Sequence, residues 1–412
     1  MQNKNISPTQ IFFLVLFTIL VSLFFTKTPG SGNMDTWVSW IEKVDTLGLV
    51  KGFSATEADY PPLTLVPLLL SSFLSQTFGI WVYLAIKIVL LVFLFLTVFI
   101  FWLWKRDFLL SFFLFFALLL NSLAHGHLDV FFAPTLILAL WALERGKWVL
   151  FISAFMLSCL TKWQPLILAP MIAIFLLGIH KIGDLKKIEI SALLKKIILP
   201  AGLIIALVVV VFGFKPLGYA IKNATHHAFI SANALNLNWI LTYFMHVMSP
   251  EKFGPLVDGR SDVIRTFESQ YRLVPQMLFI LTYLSTLAIF FKREKTFENL
   301  ILFSLLGYLS YYMFNPGVHE NHFFIPMVLS ILLFAQTKKH LFITLFLTLI
   351  GNVNLLIFNG MDGVEISFER VFSGLDLSIA FAIMNLVFFS CIWAQTIFSK
   401  SANKGSTIEQ PH

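Results

Sequence analysis

Charge is scarce in this chain. Asp, Glu, Lys and Arg make up 12% of its 412 residues, where a soluble domain carries about 25%. Two cysteines, Cys159 and Cys391, are too few for a disulfide framework and lie in apolar segments that suggest no metal site. No small-residue cleavage site follows the apolar run Ile11 to Phe25, so that run reads as a retained span and not a signal peptide. No internal repeat is visible, no DxD-type pair occurs, and the alternating pattern of a β-barrel is missing. Apolar residues are abundant instead: 58% of the chain is hydrophobic, 46 residues are Phe, and mean hydropathy is +0.83. These features predict an all-α polytopic membrane protein forming a single integral membrane domain, residues 1–412.

A spanning helix needs about 20 mostly apolar residues. Twelve segments approach that length: roughly 9–26, 80–104, 108–122, 128–143, 148–161, 164–179, 197–214, 274–291, 298–314, 323–336, 341–358 and 376–398. The run 62–78 also qualifies on length, and charge decides its place. If it lies on the outer surface, every dense basic cluster falls inside: Lys105-Arg106, Arg145/Lys147, Lys181 to Lys196, Lys292 to Lys295, Lys338-Lys339 and Lys400/Lys404. Inner segments then hold 17 Lys/Arg and 7 Asp/Glu, and outer segments hold 11 and 15, which is the positive-inside pattern. The net charge of +7 therefore orients the chain, with both termini cytoplasmic, and does not mark a nucleic-acid patch. Two outer stretches, 27–79 with its interfacial helix and about 215–273, are too long to be connectors. Seven of the ten histidines (125, 127, 226, 227, 246, 319, 322) fall on that side, so chemistry is expected there.

Asp35 follows the flexible lead-out Pro29-Gly30-Ser31-Gly32-Asn33. A carboxylate at a membrane rim can act as a general base; it can equally cap a helix over Thr36 to Val44. Asp59-Tyr60-Pro61-Pro62-Leu63-Thr64 opens the run 62–78, and Pro62 suits a first helical turn. His125, His127 and Asp129, in HGHLD, offer two imidazoles and a carboxylate for a metal or an acceptor sugar, or for polar packing at a span end. Lys162 and Gln164, in TKWQP, close another span on the outer side. Lys162 and Lys87 are cations at membrane depth, where charge is functional or snorkels to the interface. Late in the chain, His319 and Glu320 stand in Asn315 to His322; a protonated His319 would pair with a phosphate and Glu320 would orient it, or the turn serves only the loop. Trp239, in the second large outer stretch, is a candidate to stack on a sugar face.

Together, an acidic residue soon after the first span, DYPPLT (59–64), GHLD (126–129) and VHE (318–320) resemble the GT-C fold glycosyltransferases. The nearest are the polyprenyl-phosphate-glucose-dependent glucosyltransferases of N-glycan assembly and related bacterial mannosyltransferase-like proteins. The resemblance covers the layout of the whole chain, and its motifs amount to about twenty residues. It implies a GT-C-like fold in which Asp35 deprotonates the acceptor hydroxyl, DYPP shapes the site and His319 lies near the donor phosphate. The expected reaction moves a hexose from a polyprenyl-phosphate donor to a lipid- or glycan-linked acceptor on the periplasmic or luminal face, with inversion. The setting would be a bacterial inner membrane or its equivalent, with membrane lipids and no nucleic acid as partners. No cofactor is required, although His125, His127 and Asp129 leave a divalent metal open. A transporter or flippase for a lipid-linked saccharide, and a polysaccharide polymerase or ligase, are the alternatives.

Overall fold

A computed structural model describes residues 7–179, 189–364 and 369–398. Part of the basic cluster Lys181 to Lys196, and all of Lys400/Lys404, lie outside the described residues.

The first helix, α1 (Pro8–Thr26), starts on a capping box. The Ser7 hydroxyl accepts from the Gln10 amide at 3.2 Å, the Ser7 amide donates to the Gln10 side chain at 3.0 Å, and Pro8 occupies the first turn. Residues 27–79 are built from α2 (Asn33–Leu47), α3 (Leu49–Thr56), a 3₁₀ turn at Pro62–Thr64 and α4 (Leu65–Phe78). With 14 residues, α4 is about 21 Å long, short of the ~30 Å hydrocarbon core. It buries Leu65, Leu68, Ser71 and Ser72 and leaves Val66 and Phe73 exposed.

Next come α5 (Val82–Lys105) and α6 (Phe108–Leu119), which runs into a π turn at Leu120–Ala124; α7 (Asp129–Glu144) and α8 (Trp148–Thr161) follow. After a 3₁₀ turn at Gln164–Leu168 the chain forms α9 (Ala169–Leu177), α10 (Ile190–Leu193) and α11 (Leu199–Phe212). Residues 214–253 hold α12 (Phe214–Thr225), α13 (Leu237–Met248) and α14 (Pro250–Phe253). The last third is α15 (Ser269–Lys292), α16 (Phe297–Phe314), α17 (Phe324–Thr337), α18 (Leu341–Asn359), a hairpin of β1 (Val371–Phe372) and β2 (Leu375–Asp376), and α19 (Leu377–Phe398).

Helix occupies each of the twelve segments read from the sequence as spans. Among the described residues, six helices are long and apolar enough to cross a bilayer: α1, α5, Leu194–Phe212, α15, α18 and α19. The protein is therefore all-α and membrane-embedded. An apolar helix without a polar face must be surrounded by others, and α7, α16 and α17 fill that position, buried along nearly their whole lengths. In contrast, α1, α11 and α15 present Phe, Leu, Ile and Val outward. Several hydroxyls inside the spans bond back to their own helix, as where Thr18 donates to Leu14 O at 2.8 Å and Thr97 to Phe93 O at 2.7 Å.

Loops from distant parts of the chain interlock at one end of the bundle. The Gly317 amide donates to Ile230 O at 3.0 Å, Ala232 to Val318 O at 3.0 Å, Glu320 to Ala232 O at 3.2 Å, and Thr266 to Ala228 O at 2.7 Å. These bonds set residues 228–232 between the VHE turn on one side and residues 264–266 on the other. At the same end, the Ser31 amide donates to His125 O at 2.8 Å and the Trp37 indole to Gly126 O at 3.0 Å, which tie the start of α2 and the loop before it to HGHLD.

Candidate functional site

A cavity of about 560 Å³ opens where these loops meet. One wall is α2. Asn33, Thr36, Trp37 and Trp40 follow the i, i+3, i+4, i+7 pattern of one helical face and turn toward the space. The DYPPLT segment forms a second wall and is anchored twice. The Trp163 indole donates to Asp59 O at 2.9 Å, and the Thr64 hydroxyl donates to Thr161 O. Tyr60 meets Trp37 and Trp40 edge-on at 5.6 and 5.7 Å. Aromatic faces of this kind suit the apolar faces of a sugar ring. Toward the lipid the lining becomes apolar at Leu166 and Ile221, both exposed.

Of the ten candidate residues, Asp59, Tyr60, Lys162, Gln164 and His319 line the cavity. Three more lie beneath it. Asp129 pairs with Lys162 at 2.6 Å, both side chains buried, and accepts from the Asn321 amide at 2.8 Å. His127 Nε2 faces Glu320 at 3.9 Å, and its Nδ1 lies 3.4 Å from the Asn33 amide nitrogen. His125 stands further out, with Nε2 bonded to Gly360 O at 2.8 Å. Asp35 does not line the cavity. It lies two residues past Asn33, about 200° round the helix, and its exposed carboxylate accepts from the Tyr83 hydroxyl. Nor does it cap: α2 begins at Asn33 on Gly32, which leaves Asp35 inside the first turn.

Burial sets the charge state of most of the imidazoles. It lowers His319 to about 3 and His125 to about 4, and holds His127 and His322 well below the ordinary range. These rings are neutral hydrogen-bonding groups, so His319 does not bring a positive charge to a phosphate. His322 is fixed from both sides, Nε2 lying 2.9 Å from the Gln164 amide nitrogen and Nδ1 3.2 Å from the Tyr311 hydroxyl. Burial also raises the Tyr60 phenol, helped by Asp59, and pushes the Glu320 carboxyl up to about 7. Gln164 Oε1 is buried with no protein partner among the described residues.

Three functional positions differ from the sequence reading or were missed by it. Trp239 is fully buried and its indole donates to Ser378 at 2.8 Å, so no sugar reaches it. Arg272, at the start of α15, lines the cavity. Its guanidinium donates to His227 O at 2.6 Å, and no carboxylate among the described residues pairs with it. His227 also lines the space, with Nε2 3.6 Å from Asp59. The sequence marked His227 only as one of seven histidines on the side where chemistry is expected, and the lone Arg272 belongs to no motif. Among the described residues the cavity lining holds one carboxylate, Asp59, and a guanidinium, Arg272, that no carboxylate pairs. Among the described residues no three His, Cys, Asp or Glu side chains gather as metal ligands. Neither the protein-family models nor the curated proteins give a match to this chain.

Proposed function

We propose that this protein is a membrane glycosyltransferase of the GT-C type, with about twelve transmembrane helices, both termini cytoplasmic and its cavity on the periplasmic or luminal face. It moves a hexose from a polyprenyl-phosphate donor to an acceptor hydroxyl. One observation carries the reading. Segments as far apart as DYPPLT, TKWQP and the VHE turn converge on one aromatic-walled cavity that has a carboxylate, a guanidinium and an apolar edge.

The chemistry follows from that arrangement. A general base takes the acceptor proton as the oxygen attacks the anomeric carbon, and polyprenyl phosphate leaves in line, so configuration inverts. Negative charge grows on the departing phosphate, where a fixed cation in a poorly hydrated pocket acts most strongly. Arg272 takes that role, since Lys162 is committed to Asp129 and His319 is neutral. The resemblance assigns the base to Asp35; we assign it to Asp59, the cavity's own carboxylate. Tyr60, Trp163 and Gln164 hold the sugar by stacking and hydrogen bonding.

A saccharide on polyprenyl diphosphate would meet the same guanidinium, which makes a polymerase or ligase the second reading. A flippase needs a passage through the protein, and the Lys162–Asp129 pair closes the cavity floor. Membranes holding the protein, given radiolabelled polyprenyl-phosphate hexose, should pass label to product. Asp59→Asn should lower kcat by about 100- to 10,000-fold, and Arg272→Gln should lower kcat by about 100- to 1,000-fold with a smaller rise in donor KM. Label that changes leaflet without changing carrier refutes transfer. Transfer lost in Asp35→Asn but kept in Asp59→Asn returns the base to Asp35.

A further inference from the structure

At the opposite end of the bundle, α1, α5 and α6 leave a second groove of about 370 Å³. Its sides are Val15, Ile19, Phe95, Phe99, Trp102 and Phe112, and its floor includes Ser111 and Phe115. The hydroxyls within it are already engaged: Thr18 bonds Leu14 O at 2.8 Å and Ser111 bonds Asp107 O at 2.7 Å. The groove therefore offers hydrocarbon contact and no hydrogen bond. The ring walls are held by stacking, Phe95 on Phe115 at 5.4 Å and Phe99 near Trp102 at 6.0 Å. From Phe95 to Trp102 it follows α5 for about 10 Å, most of one leaflet's hydrocarbon depth of ~15 Å.

Where α5 ends beside the groove, two of the basic residues are paired with carboxylates and one is not. Lys105 reaches Glu144 at 3.7 Å, and Lys338 reaches Asp107 at 2.8 Å. Arg106 has no such partner among the described residues. Its guanidinium lies 5.2 Å over the Trp102 ring, exposed, at the groove's edge. Arg106 also holds a left-handed φ of 53° at the end of α5, a place usually taken by glycine. An apolar slot one leaflet deep, rimmed by tryptophan and ending at an unpaired arginine, has the shape and charge of a lipid with an anionic headgroup.

We propose that this groove binds one anionic phospholipid, an acyl chain lying along α5 and its headgroup on Arg106. The site is independent of the sugar chemistry at the other end of the bundle. The full-length protein, purified in mild detergent and offered dioleoyl phosphatidylglycerol or dioleoyl phosphatidylcholine, reports it by native mass spectrometry. Retention of one phosphatidylglycerol per chain in preference to phosphatidylcholine is expected. Arg106→Gln, an exposed change that leaves the core alone, should reduce that preference about five-fold. Ser111→Trp fills the groove and should abolish retention of both lipids. Equal retention of the two lipids by the wild type, or a preference that survives Arg106→Gln, overturns the proposal. So does a co-purifying polypeptide that occupies the groove in place of lipid. If Ser111→Trp fails to fold, the Arg106→Gln comparison still decides.

Discussion

Breaking the Lys162–Asp129 pair should cost far more than removing it whole. The two charges meet at 2.6 Å with side chains 3% and 2% exposed, so neither keeps water as a substitute partner. The carboxylate's other oxygen accepts from Asn321 at 2.8 Å, and the ammonium lies 5.2 Å over the Tyr60 ring. Lys162→Met leaves a buried carboxylate with one neutral donor, and Asp129→Asn leaves a buried ammonium with one aromatic face. Removing one partner of a buried pair destabilises by about 3–5 kcal/mol. The double variant buries no net charge and keeps a hydrogen bond from position 129 to Asn321, so it should recover most of that loss. A double-mutant cycle should therefore show a coupling of about 5 kcal/mol or more. The assay is equilibrium unfolding in mixed micelles by SDS titration, with all four proteins at one pH and ionic strength. Because the pair is screened by protein, the coupling should persist when salt is raised. Single losses that simply add in the double variant, to within about 0.5 kcal/mol, would refute the argument.

Other perturbations test neighbouring parts of the site. The Glu320 carboxyl, raised by burial from 4.5 to about 7, is favoured neutral in the folded state. Its contribution is therefore complete below pH 4.5 and lost as pH rises through about 7. Glu320→Gln should gain on the wild type by up to about 3 kcal/mol between acidic and mildly alkaline pH; a difference flat across that range argues against burial of the charge. Gly126 has φ +73°, and an added Cβ would run into the Met34 sulfur. Gly126→Ala should therefore lower the melting temperature in fluorescence-detected size exclusion, and adding Met34→Ala should recover only the steric part, since the φ strain of about 1–2 kcal/mol remains. The Lys87 ammonium holds Leu123 O at 2.5 Å, Ala124 O at 2.7 Å and Thr28 Oγ1 at 3.3 Å. Lys87→Met should cost about 1–3 kcal/mol for each carbonyl left unpaired, read by the same SDS titration, and full stability in that variant would mean the clamp is dispensable.

Apolar length and charge distribution made the helices legible. The twelve segments read as spans are helical because a chain that cannot hydrogen-bond to lipid must satisfy its backbone within each segment, and that requirement acts residue by residue. The run 62–78 was readable too, since Pro62 opens a turn and α4 is short. Which face a short helix turns toward its neighbours was harder to read. The capping reading of Asp35 failed because Gly32 precedes an earlier start at Asn33. That shift of two residues decides whether a side chain points into the cavity or toward Tyr83. Trp239 failed for a related reason: an aromatic residue between the apolar runs reads as exposed, but α13 packs on α19 and buries the ring against Ser378 and Phe358.

The cations show why charge in a membrane sequence misleads about where a substrate binds. Lys87, Lys162 and His319 stood out because each lies in or beside apolar sequence, and desolvation then governs what each can do. A cation fully taken from water must be held by protein acceptors or lose its proton. Lys87 is held by three oxygens, Lys162 by a carboxylate, and His319 is neutral. None has charge to spare for a ligand. The cation that does is half-buried, near enough to water to need no counter-ion and deep enough to gain from one when a ligand displaces that water. Arg272 meets both conditions at the start of α15, its Nη1 donating to backbone carbonyls and its side chain lining the cavity. By this reasoning the sequence marks the charges that build the floor, and only the folded chain marks the charge left over for an anion.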